Sequence, residues 1–364
     1  MAQKLTFYPL GNAETCLLEL QSGAKLLFDY AAMNDGSETD ERYDIKKELS
    51  SIKEFDVVMF SHAHDDHTKG SSEFFYLDHA KKYQSDTRAK IKEMWVSAAF
   101  LLDSDLENQS DAKILRNEAR YRLRERYGIK VIAAPDSLLD WLKEQEIDYN
   151  DVKDLIIHAG QTIELPAGFE DELQVFVHAP FSDDSEDIQD KNDPSIVLQL
   201  RLYNETRETN VIMTGDTPYQ ALDKIVDISR ENENVEYLDW DIYDIPHHCS
   251  YTGLNEKGEK DVRVLVPTQN IQWLLERAAS KAYMVASCLK VTEETSPPHM
   301  CAKRGYETYT TSGVQFLATM EHIPFGGGKP TPIQFEIDSM GVTLKANSVQ
   351  RAYFNKSAPR AGGQ

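Results

Sequence analysis

Seven mostly apolar residues, EFDVVMF at 54–60, run without transition into the polar decapeptide SHAHDDHTKG. A short, continuous apolar run of this kind reads as a buried strand, and a buried strand needs layers packed on it. Polar loops at the ends of such strands are where α/β folds display chemistry. The junction recurs twice. NVIM at 210–213 runs into Thr214-Gly215-Asp216, and YDIP at 243–246 runs into His247-His248-Cys249-Ser250.

The first thirty residues predict two short strands, LTFYPL and CLLEL, and then AKLLFDY, with turn residues between them. Residues 38–54 are charged with helical spacing. From about 74 to 150 the pattern is mostly helical (FFYLDHAKKY, ILRNEARYRLRERYGIK, DSLLDWLKEQEID), broken by one strand-like piece, EMWVSAAFLL. This block is expected to be a helical insertion capping the fold. Strands return as DLIIHAG, QTIELPAG, LQVFVHAP, SIVLQLRLY and NVIMTGDT. After the helical ALDKIVDISRE come AYMVASCLK, YETYTT, VQFLATM and PIQFEID. The pattern predicts one α/β domain over 1–350 and a flexible C-terminal tail at 351–364.

Composition narrows the function classes. Of 364 residues, 41% are hydrophobic, enough for a sizeable core, which excludes a disordered chain. No stretch approaches the ~20 consecutive apolar residues of a membrane span, and MAQKLTFYPLGNAETC lacks the pattern of a signal peptide. Cys16, Cys249, Cys288 and Cys301 lie far apart with no CxxC pair, so a disulfide scaffold has no support. The expectation is a cytoplasmic protein with no membrane partner. Its formal charge is 39 − 61 = −22, which repels long nucleic acid unless a basic patch offsets it. The candidate patch is the stretch Lys113, Arg116, Arg120, Arg122, Arg124, Arg126 and Lys130, set against Asp111, Glu118 and Glu125.

The densest chemical signal is His62-Ala63-His64-Asp65-Asp66-His67, which holds three of the ten histidines. Imidazole and carboxylate are ligands of zinc and of manganese or iron in hydrolytic sites. Residues i and i+2 of an extended loop can address one metal while the adjacent Asp-His pair turns to a second. Two metals ~3.5–4 Å apart clamp a reacting oxygen and acidify a water. Asp216 is placed either to bridge two metals or to cap the helix that follows. Of the later pair, His247 is assigned to a metal and His248 to the substrate. His178 in LQVFVHAP is the remaining strand-end candidate. His158 reads as a core histidine, His79 and His322 have no relevant neighbours, and His299 sits in a Pro-rich loop that either lines a site or turns the chain.

HxHxDH at 62–67, followed by a His, an Asp and a His each after a strand, resembles the metallo-β-lactamase-fold hydrolases, and within them the ComEC-like branch. The counterparts of that branch's motifs are Gly11-Asn12-Ala13-Glu14, LLFDY ending at Asp29-Tyr30, Asn192-Asp193-Pro194-Ser195 before Gly215-Asp216, HHCS at 247–250, VAS at 285–287 and Pro298-His299. The departures are Ala13 and Glu14 in the opening loop, Asp29-Tyr30-Ala31 in place of DGG, and Cys249 in place of Gly. The resemblance implies a four-layer αββα sandwich with its site at the edge of two facing sheets. It implies two divalent ions, zinc first and manganese second: one on His62, His64 and His178, the other on Asp66, His67 and His247, with Asp216 between them. Asp66 would then orient the attacking water, His248 would serve the oxyanion or leaving group, and Asp29 would fix a ligand imidazole. The implied activity is that of a phosphodiesterase or nuclease on nucleic acid or a small phosphodiester. Hydrolysis of a lactone or thioester is the alternative, as is a metal-binding scaffold working with protein partners in a larger complex.

Overall fold

The structure, a computed structural model, describes residues 2–166, 168–169, 171–182, 195–205, 207–256 and 262–346. Strands β1 (Gln3–Phe7), β2 (Cys16–Glu19), β3 (Lys25–Phe28), β4 (Glu54–Phe60), β5 (Lys90–Ser97), β6 (Ile129–Ile132) and β7 (Ile156–Ile157) come first along the chain. They are followed by β8 (Leu173–Ala179), β9 (Val197–Asn204), β10 (Arg207–Met213), β11 (Trp240–Asp244), β12 (Ala278–Ala286) and β13 (Gln315–Ala318). Last are β14 (Ile333–Asp338) and β15 (Gly341–Leu344). They form two sheets, in the orders β15-β14-β1-β2-β3-β4-β5-β6-β7 and β13-β12-β11-β10-β9-β8.

Strand alternation sorts the apolar residues into three cores. Phe7, Leu18, Leu26, Val57 and Met59 of the large sheet meet Val175, Val177, Leu198, Leu200, Val211 and Ile242 of the small one, forming the layer between the sheets. On the outer face of the large sheet, Phe55, Val58, Phe60, Met94 and Val96 pack with helical residues. These belong to α1 (Ile45–Leu49), to α3 (Ser71–Phe74), which follows the polar α2 (Asp65–Thr68), and to α4 (Ala98–Leu102), α5 (Asp111–Glu125), α6 (Asp136–Glu144) and α7 (Tyr149–Val152). On the outer face of the small sheet, Ile212, Tyr243 and Met284 pack on α8 (Tyr219–Glu231), α9 (Gln269–Glu276) and α10 (Met300–Tyr309). The result is the four-layer αββα sandwich. β4 is continuously apolar from Val57 to Phe60 because it sits mid-sheet with both faces covered, Val57 and Met59 inward and Val58 and Phe60 outward. Among the described residues, no helix is long and apolar enough to cross a membrane.

β3 through β7 run parallel, and so do β10 through β13. Parallel strands bring their carboxyl ends to one edge, where open α/β sheets bind their ligands. Here that edge receives Asp29, the loop at 61–67, Asp216, the turn at 247–249 and Ser287.

Several expectations are modified. Residues 74–150 hold α4 to α7 but also supply β5 and β6 to the large sheet, so the block is woven into that layer. The sequence pattern hid β6 because its four residues follow α5 directly after a tight turn at Gly128. Helix 38–54 is realised only as α1. QTIELPAG contributes a single bridge, Thr162 to Phe176. YETYTT, expected as a strand, falls mainly in α10, where apolar burial on one helical face overrides β propensity. Asn192, Asp193 and Pro194, and the tail at 351–364, lie outside the described residues.

The basic stretch on α5 is structural. Ser110 caps the helix by accepting from the Lys113 amide, and Ala112, Leu115, Ala119 and Leu123 are buried. Arg116 donates to the Asp103 carbonyl and Arg120 Nε to the Leu101 carbonyl at 2.8 Å, which ties down the exposed C-terminal carbonyls around α4. Arg122 is buried, donating to Glu118 at 2.7 Å and to the Gly128 and Ile91 carbonyls at 2.9 and 3.1 Å. Arg126 pairs with Asp151 at 2.7 Å. These guanidiniums are committed to the fold rather than offered as a phosphate-steering face. Burial opposes the Glu118 charge, but His79 and Arg122 hold that carboxyl down at about 2. Arg122→Ala should therefore strand a buried carboxylate and cost about 3–5 kcal/mol in urea denaturation, and replacing Glu118 and Arg122 together by Met should recover much of that loss.

Candidate metal centre

The centre is built from proton positions that the fold leaves no choice about. Asp29 follows β3 in the left-handed region (φ 56) and is buried. Its Oδ1 accepts from the Ser61 amide at 2.7 Å, and its Oδ2 accepts from Ser61 Oγ at 2.6 Å and from His67 Nδ1 at 2.7 Å. His67 thus carries its proton on Nδ1 and turns Nε2 away. Because Ser61 Oγ gives its hydrogen to Asp29, it can only accept from His62 Nδ1, 3.1 Å away, and His62 too is left with a bare Nε2. His248 Nδ1 lies 2.7 Å from the Ser287 carbonyl, which can only accept, so His248 follows the same rule.

The three Nε2 atoms converge on two carboxylates. Asp216 Oδ1 is 3.3 Å from His67 Nε2 and 3.5 Å from His248 Nε2, while its Oδ2 is 3.7 Å from His62 Nε2. Asp66 Oδ2 is 3.2 Å from His248 Nε2. His64 joins through Nδ1, 3.1 Å from His62 Nε2. His67 Nε2 and Asp216 Oδ1 are buried without a hydrogen-bond partner. Among the described residues, three groups have ligand atoms close enough to hold an ion: Asp66-His67-Asp216-His248 and His62-His64-Asp66 at the convergence, and the fully buried Glu14-Asp29-His67 beneath it. Converging nitrogen lone pairs and carboxylates, pinned from behind and unpartnered in front, suit divalent cations.

Without metal, protons fill the space. Burial depresses the His67 pKa, but Asp216 and Asp29 overcome this and raise it well above the ordinary value. His248 is likewise raised, by Asp216 and Asp66 against burial. His62 is pushed well down by burial and by the neighbouring His67. Burial works against the charge on Asp216 and Asp66, yet both are held well below the usual carboxylate range, Asp216 by His248 and His67 and Asp66 mainly by His248.

Gly215 lets the two halves meet. It adopts φ +52, and a Cβ there would lie 3.1 Å from the Ser61 Cβ. The turn after β11 then decides which late histidine enters. His247, His248 and Cys249 all have positive φ (51, 52 and 62), an uncommon run for side-chain-bearing residues. The turn sends His248 into the carboxylate cluster and His247 to Thr252 Oγ1, 3.1 Å away. The placement of these two differs from the expected one: His248 lies among the clustered carboxylates and histidines, and His247 lies outside those groups.

His178 also lies outside them. Strand alternation turns Val175 and Val177 to the inter-sheet core and His178 to the opposite face, where its Nε2 donates to the Tyr237 carbonyl at 2.9 Å. His299 Nδ1 accepts weakly from the Tyr251 amide at 3.4 Å, and its Nε2 meets Ser296 Oγ at 2.9 Å. His79 pairs with Glu118 and His322 with the Thr331 carbonyl, away from the centre.

Three residues beneath the centre were given no role by the sequence reading. Ser61 and Ser287 work through short polar contacts that no spacing announces. Glu14, noted only as a departure from a motif, is buried, and its amide donates to the Asp66 carbonyl at 3.0 Å. Its carboxyl faces that of Asp244, an inward residue of β11, and a hydrogen bond links them. Burial raises both: Glu14 well above its ordinary value and Asp244 to about 7.

No protein-family model matches the chain, and no curated protein matches it. Solved structures do. MEM-A1, a subclass B3 metallo-β-lactamase from a soil metagenome library, aligns with TM-score 0.31 and 11% identity over 65% of this chain and 77% of that one. GOB-18 of Elizabethkingia meningoseptica, a metallo-β-lactamase, gives 0.29 and 15% over 65% and 74%. The metallo-β-lactamase SMB-1, bound to 2-mercaptoethanesulfonate, gives 0.30 and 14% over 65% and 78%. Likeness at this level carries no chemistry across, and the layer order rests on the two sheets themselves.

The Glu14–Asp244 pair makes stability depend on pH. Asp244 is raised from 3.8 to about 7, so folding favours its protonated form, and that preference is lost as pH rises between those values. In metal-free protein, Asp244→Asn should match the parent near pH 4 and exceed it by on the order of 2 kcal/mol at pH 8, as read by urea denaturation at both pH values.

Proposed function

We propose that this chain is a dinuclear metal-dependent hydrolase of the metallo-β-lactamase superfamily, acting on a short or nucleotide-sized phosphodiester. The observation that carries this reading is the set of three imidazoles pinned at Nδ1, with their Nε2 atoms turned toward Asp66 and Asp216. His62 and His64 would hold one ion, and His67 and His248 the other. Asp216 would lie between the ions, with Asp66 within reach of both groups. Bound divalent metals would supply Lewis acidity and bring the pKa of a water to around 7.

The side chains account for the rest. Asp29 and Ser61 fix the His67 and His62 tautomers, and the Ser287 carbonyl fixes that of His248, so the donor set is formed before any ligand arrives. Asp66 is the most solvent-accessible carboxylate of the set, its side chain 30% exposed, and His248 holds it ionised. It orients the attacking water and takes its proton on a carboxylate oxygen. His247, half-buried beside Thr252, would donate to the leaving oxygen.

The formal charge of −22 and the engagement of the α5 arginines favour a small substrate over a long duplex. The same two observations favour an uncharged carbonyl substrate, a lactone or thioester, as the second reading. Zinc- or manganese-loaded protein should cleave bis(p-nitrophenyl) phosphate and a dinucleotide faster than thioester or lactone probes. Asp216→Asn and His67→Ala should each lower turnover by on the order of 10² or more. Turnover of the carbonyl probes alone would select the second reading. Two bound ions with no turnover on either set would leave a metal-binding scaffold.

Zinc uptake tests the centre itself. His67 and His248 have raised pKa values in the metal-free protein and must lose protons to bind, so apparent zinc affinity should rise with pH. Titration calorimetry in two buffers of different ionisation enthalpy should show proton release that shrinks in His248→Gln.

A further inference from the structure

His178, left out of the metal centre, lines a separate cavity of about 320 Å³ between the outer face of β8 and α8. This is the size of a small-ligand pocket. Phe176 and Phe181 line it with Ile225 and Ile228 of α8, and Asn234 borders it beyond the helix. Phe176 is immobilised from behind: its ring stacks on Tyr237 at 3.9 Å between centroids and 15° between planes, and Arg201 packs on Tyr237 at 4.0 Å.

One buried side chain on this wall is an unmatched acceptor. The Tyr237 carbonyl can only accept, so the His178 proton sits on Nε2. Burial pushes the His178 pKa down to about 4, so the ring is neutral and Nδ1 is a bare acceptor. Among the described residues that nitrogen has no hydrogen-bond partner, and a donor-bearing ligand would supply one.

We propose that this cavity is a binding site, separate from the metal centre, for a planar, uncharged nitrogen heterocycle presenting N–H donors, of which a nucleobase is the most common biological form. The flat ring meets Phe176 and Phe181, and an N–H group meets His178 Nδ1.

Adenine is the probe, titrated calorimetrically into the metal-loaded full-length protein, with the His178 ring nitrogens followed by ¹⁵N NMR. Saturable heat is expected together with a shift of the Nδ1 resonance. 6-Dimethylamino-9-methylpurine, which has no N–H, should bind about tenfold or more weakly. Ile228→Trp, a change at a half-exposed helix position that fills the cavity, should abolish the heat while leaving the melting temperature intact. His178→Phe should weaken binding about tenfold, and Asp216→Asn should leave it unchanged. Absence of heat and shift at millimolar adenine, undiminished binding in Ile228→Trp, or loss of binding in Asp216→Asn would each overturn the proposal. The last outcome would place adenine at the metal centre.

Discussion

The contact on which the rest depends is the buried carboxylate of Asp29. It accepts three hydrogens, from the Ser61 amide, Ser61 Oγ and His67 Nδ1, all within 2.7 Å. Those bonds join the end of β3 to the end of β4 and dictate where every proton beneath the centre must lie. Once Ser61 has given its hydrogen away, His62 has a single way to be satisfied, and His67 already has one. A carboxylate behind the centre therefore pins His67 and, through Ser61, His62 at Nδ1 and leaves their Nε2 atoms as the ones that face the carboxylates. The left-handed backbone at Asp29 is the local distortion that lets the side chain reach both partners.

From the other sheet, Asp216 and His248 complete the arrangement through geometry of a different kind. Gly215 removes the Cβ that would strike Ser61, allowing the β10 end to close on the β4 end. The left-handed run at 247–249 then rotates His248 inward, and the Ser287 carbonyl at the end of β12 fixes its ring. Both sheets are needed, since neither alone brings enough donors to one point. Beneath them, Glu14 and Asp244 press two carboxyls together in the dry layer. Like charges cannot both persist there, so the pair retains a proton near neutrality.

Much of this was legible in the residues. Continuous apolar runs ending in polar loops marked β4, β10 and β11 because strands covered on both faces have no polar side to show. The density of histidine at 62–67 marked the chemistry-bearing loop. Where the structure places a site residue differently from the expectation, the reason is the direction in which the residue points. His178 and Asp216 both lie at or just past a strand's end, yet one faces α8 and the other the inter-sheet edge, and alternation parity rather than composition separates them. His247 and His248 are neighbours in sequence, and only the backbone conformation of their turn selects between them. The α5 arginines looked like a surface for anions because sequence counts charges and cannot see the carbonyls they satisfy.

By itself the sequence determined the α/β layering, the ends of the strands that carry polar chemistry, and the acidity that disfavours long polyanions, since periodicity and charge are properties of the chain. Tertiary structure alone decided which histidine turns inward, which carboxyls share a proton, and that residues 74–150 contribute strands to the large sheet. It also opened the cavity beside His178. Those outcomes depend on contacts between residues far apart in the chain, from 59 positions for His178 with Tyr237 to 182 for Asp66 with His248, and such contacts exist only once the chain has folded.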